Sequence, residues 1–413
     1  MAEPDPWAVT GPAAGRLPAV GVRVPSDEVA SPVMALRESA VRANVGTMAR
    51  YCRDVGVQLA PHGKTTMSPQ LLRLQLAAGA WGVTVATGPQ LRACLDMGIR
   101  RILLANQLVD PATIRSAAEA MRGPAPVELT CFVDSVDGVR LLQRELGASG
   151  ADGGAVDVLV ELGIPGGRTG CRDAGHAMEV ARAAAAAPAL RVIGTAGYEG
   201  VVAGDRCPGA LAAVRAYCAA LADLTGELVA SGLVPSGRRP VISAGGSAYF
   251  DVVVDVLAGR RIGGRNAEVV MRSGAYVSHD HGLYRRLSPF EQPGSRYGLR
   301  PALQIWGRVL SVPEPGLALV DFGRRDVPFD QDLPVPLERR DPRGQAAAPA
   351  NLLAVTALND QHAFVDVRAD PSLRPGDWLG CGISHPCTAF DKWRVMPVVD
   401  DDDVVVGGIE TFF

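Results

Sequence analysis

From residue 57 to residue 272 the sequence repeats one unit: a short apolar run rich in β-formers, a Gly/Pro or polar break, and a helical stretch. The runs lie at 57–62, 81–87, 101–106, 127–134, 156–162, 191–198, 240–243 and 267–272, with helices expected at 69–78, 89–97, 111–121, 136–145, 174–186, 208–231 and 249–257. Ser68-Pro69 and Asp110-Pro111 set a capping residue before a proline at the first helical position. Strands alternating with helices form parallel β-α-β units, and eight of them match the count of a TIM-type (β/α)8 barrel. A doubly wound open sheet is the rival, but no G-x-G-x-x-G follows the first run, which argues against its dinucleotide-binding form.

After residue 288 the helical period disappears. β-rich runs at 302–312, 316–322, 352–358, 363–367, 377–381, 393–399 and 404–409 alternate with Pro/Gly/Asp turns and read as an all-β domain. The expected class is therefore α/β, a barrel over 38–288 followed by a C-terminal β domain over 289–413. Residues 1–37, with a β-like run at 19–24, are expected to join that β domain. Asp400 to Asp403 sit between two runs and read as a hairpin turn rather than a metal site.

Composition narrows the function. Lys+Arg 41 against Asp+Glu 44 gives a net charge of −3, with no basic excess to hold a nucleic acid. No stretch resembles a secretory signal or a membrane span. Eight cysteines are scattered without C-x-x-C pairs, which suggests reduced thiols and a cytoplasmic protein. Only two lysines occur, Lys64 and Lys392, so chemistry needing an amine must use one of them.

Lys64 falls just past the first strand, where barrels gather functional groups, and its small or polar neighbours suit Schiff-base chemistry. Lys392, beside Asp391 and Trp393, reads as an ion-pairing or packing residue. After strand seven, Gly245, Gly246 and Ser247 precede a helix and offer backbone N–H groups to an anion; Arg272 to Tyr276, after strand eight, could complete that site. A lysine opposite a phosphate cradle suggests a sugar-phosphate aldolase or a pyridoxal phosphate enzyme. His385 and Cys387, two apart in a strand-like stretch, can face one way and bind a metal that stays open to substrate. His279-Asp280-His281 reads as a polar loop, His176 as a surface residue, and Glu161 and Asp134 as catalytic or capping groups.

The stretch from Pro61-His62-Gly63-Lys64 through Ser68-Pro69, with 75–87, resembles the D-serine dehydratase / D-threonine aldolase family, fold-type III pyridoxal phosphate enzymes akin to alanine racemase. The likeness runs on through Arg168, Gly197-Tyr198-Glu199-Gly200, the Gly-Gly turn, 272–276 and 385–393. It implies that Lys64 carries pyridoxal 5'-phosphate, that Arg168 approaches the ring's phenolic oxygen, and that Tyr198 meets the cofactor. It further implies that Gly245, Gly246, Ser247 and Tyr276 hold the phosphate, that His385 and Cys387 bind a divalent metal, and that the protein is a homodimer. Residues 359–363, around His362, loosely resemble a family motif near the site. His-x-Cys members are dehydratases that bind zinc, whereas aldolases more often carry His-x-Asp with manganese. The soft Cys387 thiolate favours Zn2+ over Mn2+ or Mg2+, and Val201 stands where aldolases place a histidine. The expectation is a dehydratase of D-serine- or D-threonine-like D-3-hydroxy amino acids; the alternatives are retro-aldol cleavage and a non-catalytic cofactor carrier.

Overall fold

The computed structural model describes residues 6–9, 11–149, 155–345 and 347–413. Residues 1–5 and 10, part of the segment expected to join the β domain, lie outside the described residues. The chain divides into two compact units: Met1–Met48, Thr65–Gln75 and Ala275–Phe413 form one, Ala49–Lys64 and Leu76–Gly274 the other.

In the second unit, eight parallel strands among the described residues form one sheet: Gln58–Leu59, Val83–Val85, Arg101–Gln107, Glu128–Val133, Val156–Glu161, Leu190–Ala196, Val241–Ser243 and Glu268–Met271. From the second to the eighth each pairs with its neighbour in the chain, and the eighth returns to the first with Val270 opposite Gln58. Between the first two strands, Trp81 N–H donates to Leu59 O (2.7 Å) and Thr84 N–H to Pro61 O (2.9 Å), so the ring closes. The barrel reading holds and the open-sheet rival does not. Leu103, Phe132, Leu159, Ile193, Val241 and Val270 fill the interior, as apolar residues on strands covered on both faces should. Gly194 has φ 153°, and a Cβ there would stand 1.8 Å from Val241 O, so strands six and seven can pair only around a glycine.

The crossing helices start where their caps dictate. Asp110 accepts from Thr113 N–H (2.9 Å) and Ser135 from Gly138 N–H (3.2 Å), each cap worth about 1 kcal/mol. The helices deliver the chain back to the next strand, and every strand's carboxyl end reaches one face of the barrel.

The first unit is built on a mostly antiparallel sheet. Its main path runs Ala348–Pro349, Val335–Arg340, Trp378–Gly382, Leu303–Glu314, Val33–Arg37, Val395–Val399 and Val405–Glu410. The N-terminal strand Val33–Arg37 sits inside this sheet, with Val33 opposite Trp306 and Leu36 opposite both Leu303 and Val398. Val33, Ala35, Trp306, Trp378, Val399 and Val405 form its core. Asp400 to Asp403 make the hairpin turn between the last two strands, and Asp403 pairs with Arg37 (2.5 Å) and Arg340 (2.6 Å).

Candidate active site

Lys64 follows the first barrel strand in the 3-10 turn Gly63–Thr65 and is exposed. Two residues before it, His62 Nδ1 is buried with no hydrogen-bond partner. Burial first, then the charges of Lys64, Arg272 and Arg168, hold the His62 pKa well below the usual imidazole range. The ring is therefore neutral at pH 7 and keeps a free nitrogen.

Arg168 lies on the loop after the fifth strand. Cys171 N–H donating to Glu161 O and Gly163 N–H donating to Cys171 O, both at 2.8 Å, turn that loop back on itself. The guanidinium stands 4.7 Å from the Tyr198 ring centroid, a cation–π distance. Tyr198 follows the sixth strand, and its ring lies so close to the next turn that a Cβ on Gly246 would meet it at 2.8 Å. The fold thus brings Arg168, Tyr198 and Gly246 together at the barrel's carboxyl end.

Two neighbours carry this arrangement. Glu199 is fully buried and accepts from Gly245 N–H (3.0 Å) and Gly246 N–H (2.5 Å). The amides expected to face a phosphate are thus engaged by an internal carboxylate, which leaves Ser247, half-buried beyond them, as the member of that turn with a free side chain. Arg272, 5 % exposed, donates to Ser243 Oγ (2.6 Å) and Gly197 O (2.5 Å). Burial pushes its pKa down while the charges of Glu199 and Glu161 oppose that shift. Glu161 is itself buried and accepts from Gln107 Nε2 at 2.6 Å, leaving Gln107 Oε1 unpartnered. In the sequence, Glu199 shows only as a carboxylate directly after Tyr198 and Arg272 only as an arginine at a strand end.

In the other unit, Tyr276 is buried in the 3-10 turn Ala275–Val277 and its hydroxyl accepts from Gln75 Nε2 at 2.9 Å. His385 and Cys387 do not lie in a strand as expected: Pro386 begins the 3-10 turn Pro386–Thr388, because its fixed φ suits the first helical position. The turn still brings the two side chains close enough for Cys387 to act on the His385 ring electrostatically. His385 Nδ1 stands 2.7 Å from Asp330 Oδ2, and Cys387 Sγ lies 3.5 Å from Thr65 Oγ1. Burial would lower the His385 pKa, but the bond and charge of Cys387, with those of Asp330, outweigh it and raise it to about 9.

His279 and Asp280 are each 1 % exposed, so this stretch is a loop as read, but an interior one. Asp280 accepts from the N–H groups of Gly282 (2.8 Å) and Tyr284 (3.0 Å), and His281 N–H donates to Ile383 O (2.9 Å). His362 sits exposed on the turn between Ala354–Leu358 and Ala363–Asp366. Lys392 stacks 5.6 Å from the Phe329 ring centroid. The eight cysteines are unpaired. Among the described residues no helix is long and apolar enough to cross a membrane.

The chain joins a barrel, with an exposed lysine after its first strand, to a mostly antiparallel β domain. The model of the alanine racemase N-terminal domain matches residues 36–250, and that described as "Putative serine dehydratase domain" matches residues 302–399. The chain belongs to the alanine racemase-like, fold-type III pyridoxal phosphate family, in its D-serine dehydratase / D-threonine aldolase branch. It is similar to a 3-hydroxy-D-aspartate aldolase of Paracoccus denitrificans, 28% identical over 85% of this chain and 88% of that protein. In structure it resembles the D-threonine aldolase of Filomicrobium marinum, with a TM-score of 0.77, 24% identity and coverage of 95% and 97%. It also resembles the D-threo-3-hydroxyaspartate dehydratase of Delftia sp. HT23, with a TM-score of 0.72, 24% identity and coverage of 93% and 98%.

Proposed function

We propose that this protein is a pyridoxal phosphate- and metal-dependent lyase that removes water from small D-3-hydroxy amino acids, giving a 2-oxo acid and ammonia. The observation that carries the reading is the pairing of His385 with Cys387 in the β domain, in a chain whose barrel presents Lys64 at its functional end. The residues suit both groups. The unpartnered nitrogen of His62, two residues before Lys64, and the unpartnered Oε1 of Gln107, at the end of the third strand, are buried polar atoms that a bound polar ring or substrate would satisfy. Among the described residues no set of three or more His, Cys, Asp or Glu side chains is arranged around one point. His385 and Cys387 would supply one imidazole and one thiolate donor, with a position left open to substrate as in catalytic rather than structural zinc sites.

When bound, the cofactor supplies an electron sink for charge at Cα, and the metal a Lewis acid for the β-hydroxyl. Lys64 would hold the cofactor covalently and, once released by the substrate amine, take the proton from Cα. Arg168, stacked on Tyr198, would fix the ring's position at its phenolic oxygen. Glu199 keeps the Gly245-Gly246 turn in place beneath Tyr198, and Ser247 would face the phosphate. The net change is loss of water across Cα–Cβ, followed by hydrolysis of the enamine. The protein would act in the cytoplasm, as its scattered cysteines suggest, and as a homodimer, as the family resemblance implies.

A second reading is retro-aldol cleavage of the same substrates, favoured by the aldolase activity named for the Paracoccus relative. Incubating the purified protein with D-threonine, cofactor and zinc separates the two. Ammonia with 2-oxobutanoate supports elimination; glycine with acetaldehyde replaces it by retro-aldol cleavage; neither product rules out D-threonine as a substrate of either reaction.

A further inference from the structure

We infer that Asp330 is the positioning residue of the metal site, fixing which nitrogen of His385 faces the ion. The inference rests on reading His385 and Cys387 as metal ligands. Asp330 lies in the segment between the strands Leu317–Val320 and Val335–Arg340, far from His385 in the sequence. Its Oδ2 meets His385 Nδ1 at 2.7 Å, and its Oδ1 accepts from Thr388 Oγ1 at 2.7 Å. Both carboxylate oxygens are thus committed to the turn that carries the proposed ligands. A third bond, Ser384 Oγ donating to Asp332 O at 2.6 Å, ties the same segment to the residue just before His385.

The consequence is chemical. An imidazole binds a metal through one nitrogen, and an acceptor on the other fixes its tautomer and its orientation. With Nδ1–H donated to Asp330, Nε2 is the nitrogen left for the ion. Thr388, one residue past Cys387, holds the second oxygen of the same carboxylate, so Asp330 is tied twice to the turn that carries the histidine and the cysteine. Asp330 meets the ring on its Nδ1 side, whereas the ion would be met from the Nε2 side. A surface ion pair would also place Asp330 near His385, but it would not require the threonine lock on the second oxygen.

The test is zinc titration of the full-length protein by calorimetry, with the variants Asp330→Ala and Asp330→Asn beside the wild type and their thermal unfolding recorded. Asp330→Ala is expected to weaken zinc binding by about 10- to 100-fold. Asp330→Asn keeps an acceptor for Nδ1–H and is expected to recover most of that loss. Wild-type affinity in Asp330→Ala overturns the inference while the metal reading stands. Equal loss in both variants also overturns it, since the charge and not the acceptor would then matter, as for a direct ligand. A wild-type protein that binds no zinc overturns the metal reading and Asp330's role together, and is told apart by failing before any substitution is made.

Discussion

Replacing Arg272 by methionine should cost the barrel about 3–5 kcal/mol, the range for removing one partner from a buried charge cluster. The residue is 5 % exposed and donates to Ser243 Oγ and Gly197 O at 2.6 and 2.5 Å. Each of these charged hydrogen bonds is worth roughly 1.5–3 kcal/mol. Its charge also attracts Glu199 and Glu161, both buried, and methionine removes that attraction. Removal does spare the cost of burying the guanidinium, which is why the expected loss stays below the sum of the lost bonds and the lost attraction. The assay is urea unfolding followed by circular dichroism, comparing wild type, Arg272→Met, Glu199→Gln and the double variant. Neutralising Glu199 removes one of the two attracted charges, so the double variant should be more stable than the sum of the single losses by roughly 0.5–3 kcal/mol. An Arg272→Met protein within about 1 kcal/mol of wild type, the ordinary size of a mild substitution, would refute the reasoning.

Gly382→Ala would set a Cβ 2.1 Å from His281 Nδ1, and because the His281 backbone is pinned to Ile383 the clash should cost about 1–3 kcal/mol. It should appear as a melting point lower by several degrees; an unchanged melting point contradicts it. His279 is buried, and burial followed by the charges of His281 and Arg285 holds its pKa at about 4 against 6.5 when unfolded. The unfolded chain takes that proton first, so stability is full above pH 6.5 and falls as the pH drops toward 4, by at most about 1.4 kcal/mol per pH unit. Asp280 works in the opposite sense, since burial raises its pKa to about 6 and its share of stability grows as the pH falls below that value. His279→Gln should therefore flatten the acid loss measured by urea unfolding at pH 7 and 4.5, and an unchanged slope would assign the loss elsewhere. Cys387→Ala should remove zinc binding and turnover while the cofactor's visible absorbance persists; turnover at the wild-type rate would discard the metal role.

Much of the fold was legible because its pattern is local. Each barrel strand is a short apolar run beside a capped helix, and observed strands such as Val156–Glu161 and Arg101–Gln107 fall within a residue of the runs in the sequence. What depends on distant pairing was harder to read. Val33–Arg37 is a central strand only because Trp306 and Leu303 pair with it, and nothing in the five residues says so. Val335–Arg340 went unread because prolines break its apolar run. His279 and Asp280 looked like loop residues, since polar side chains give no local sign that Gly282 and Tyr284 amides wait for them in the interior. At the site, Lys64 stood out through the scarcity of lysine, and Arg168 and Tyr198 through family likeness. Asp330 was hidden among turn residues, and its meaning appears only when the chain brings it to His385.

The central claim is that Lys64 is the amine that carries the cofactor, and two lysines in the chain make it simple to test. Protein incubated with pyridoxal phosphate is reduced with borohydride, digested and mapped by mass spectrometry. The added phosphopyridoxyl mass is predicted on the peptide containing Lys64 and absent from Lys64→Ala. Its appearance on Lys392, or on neither lysine, would contradict the account.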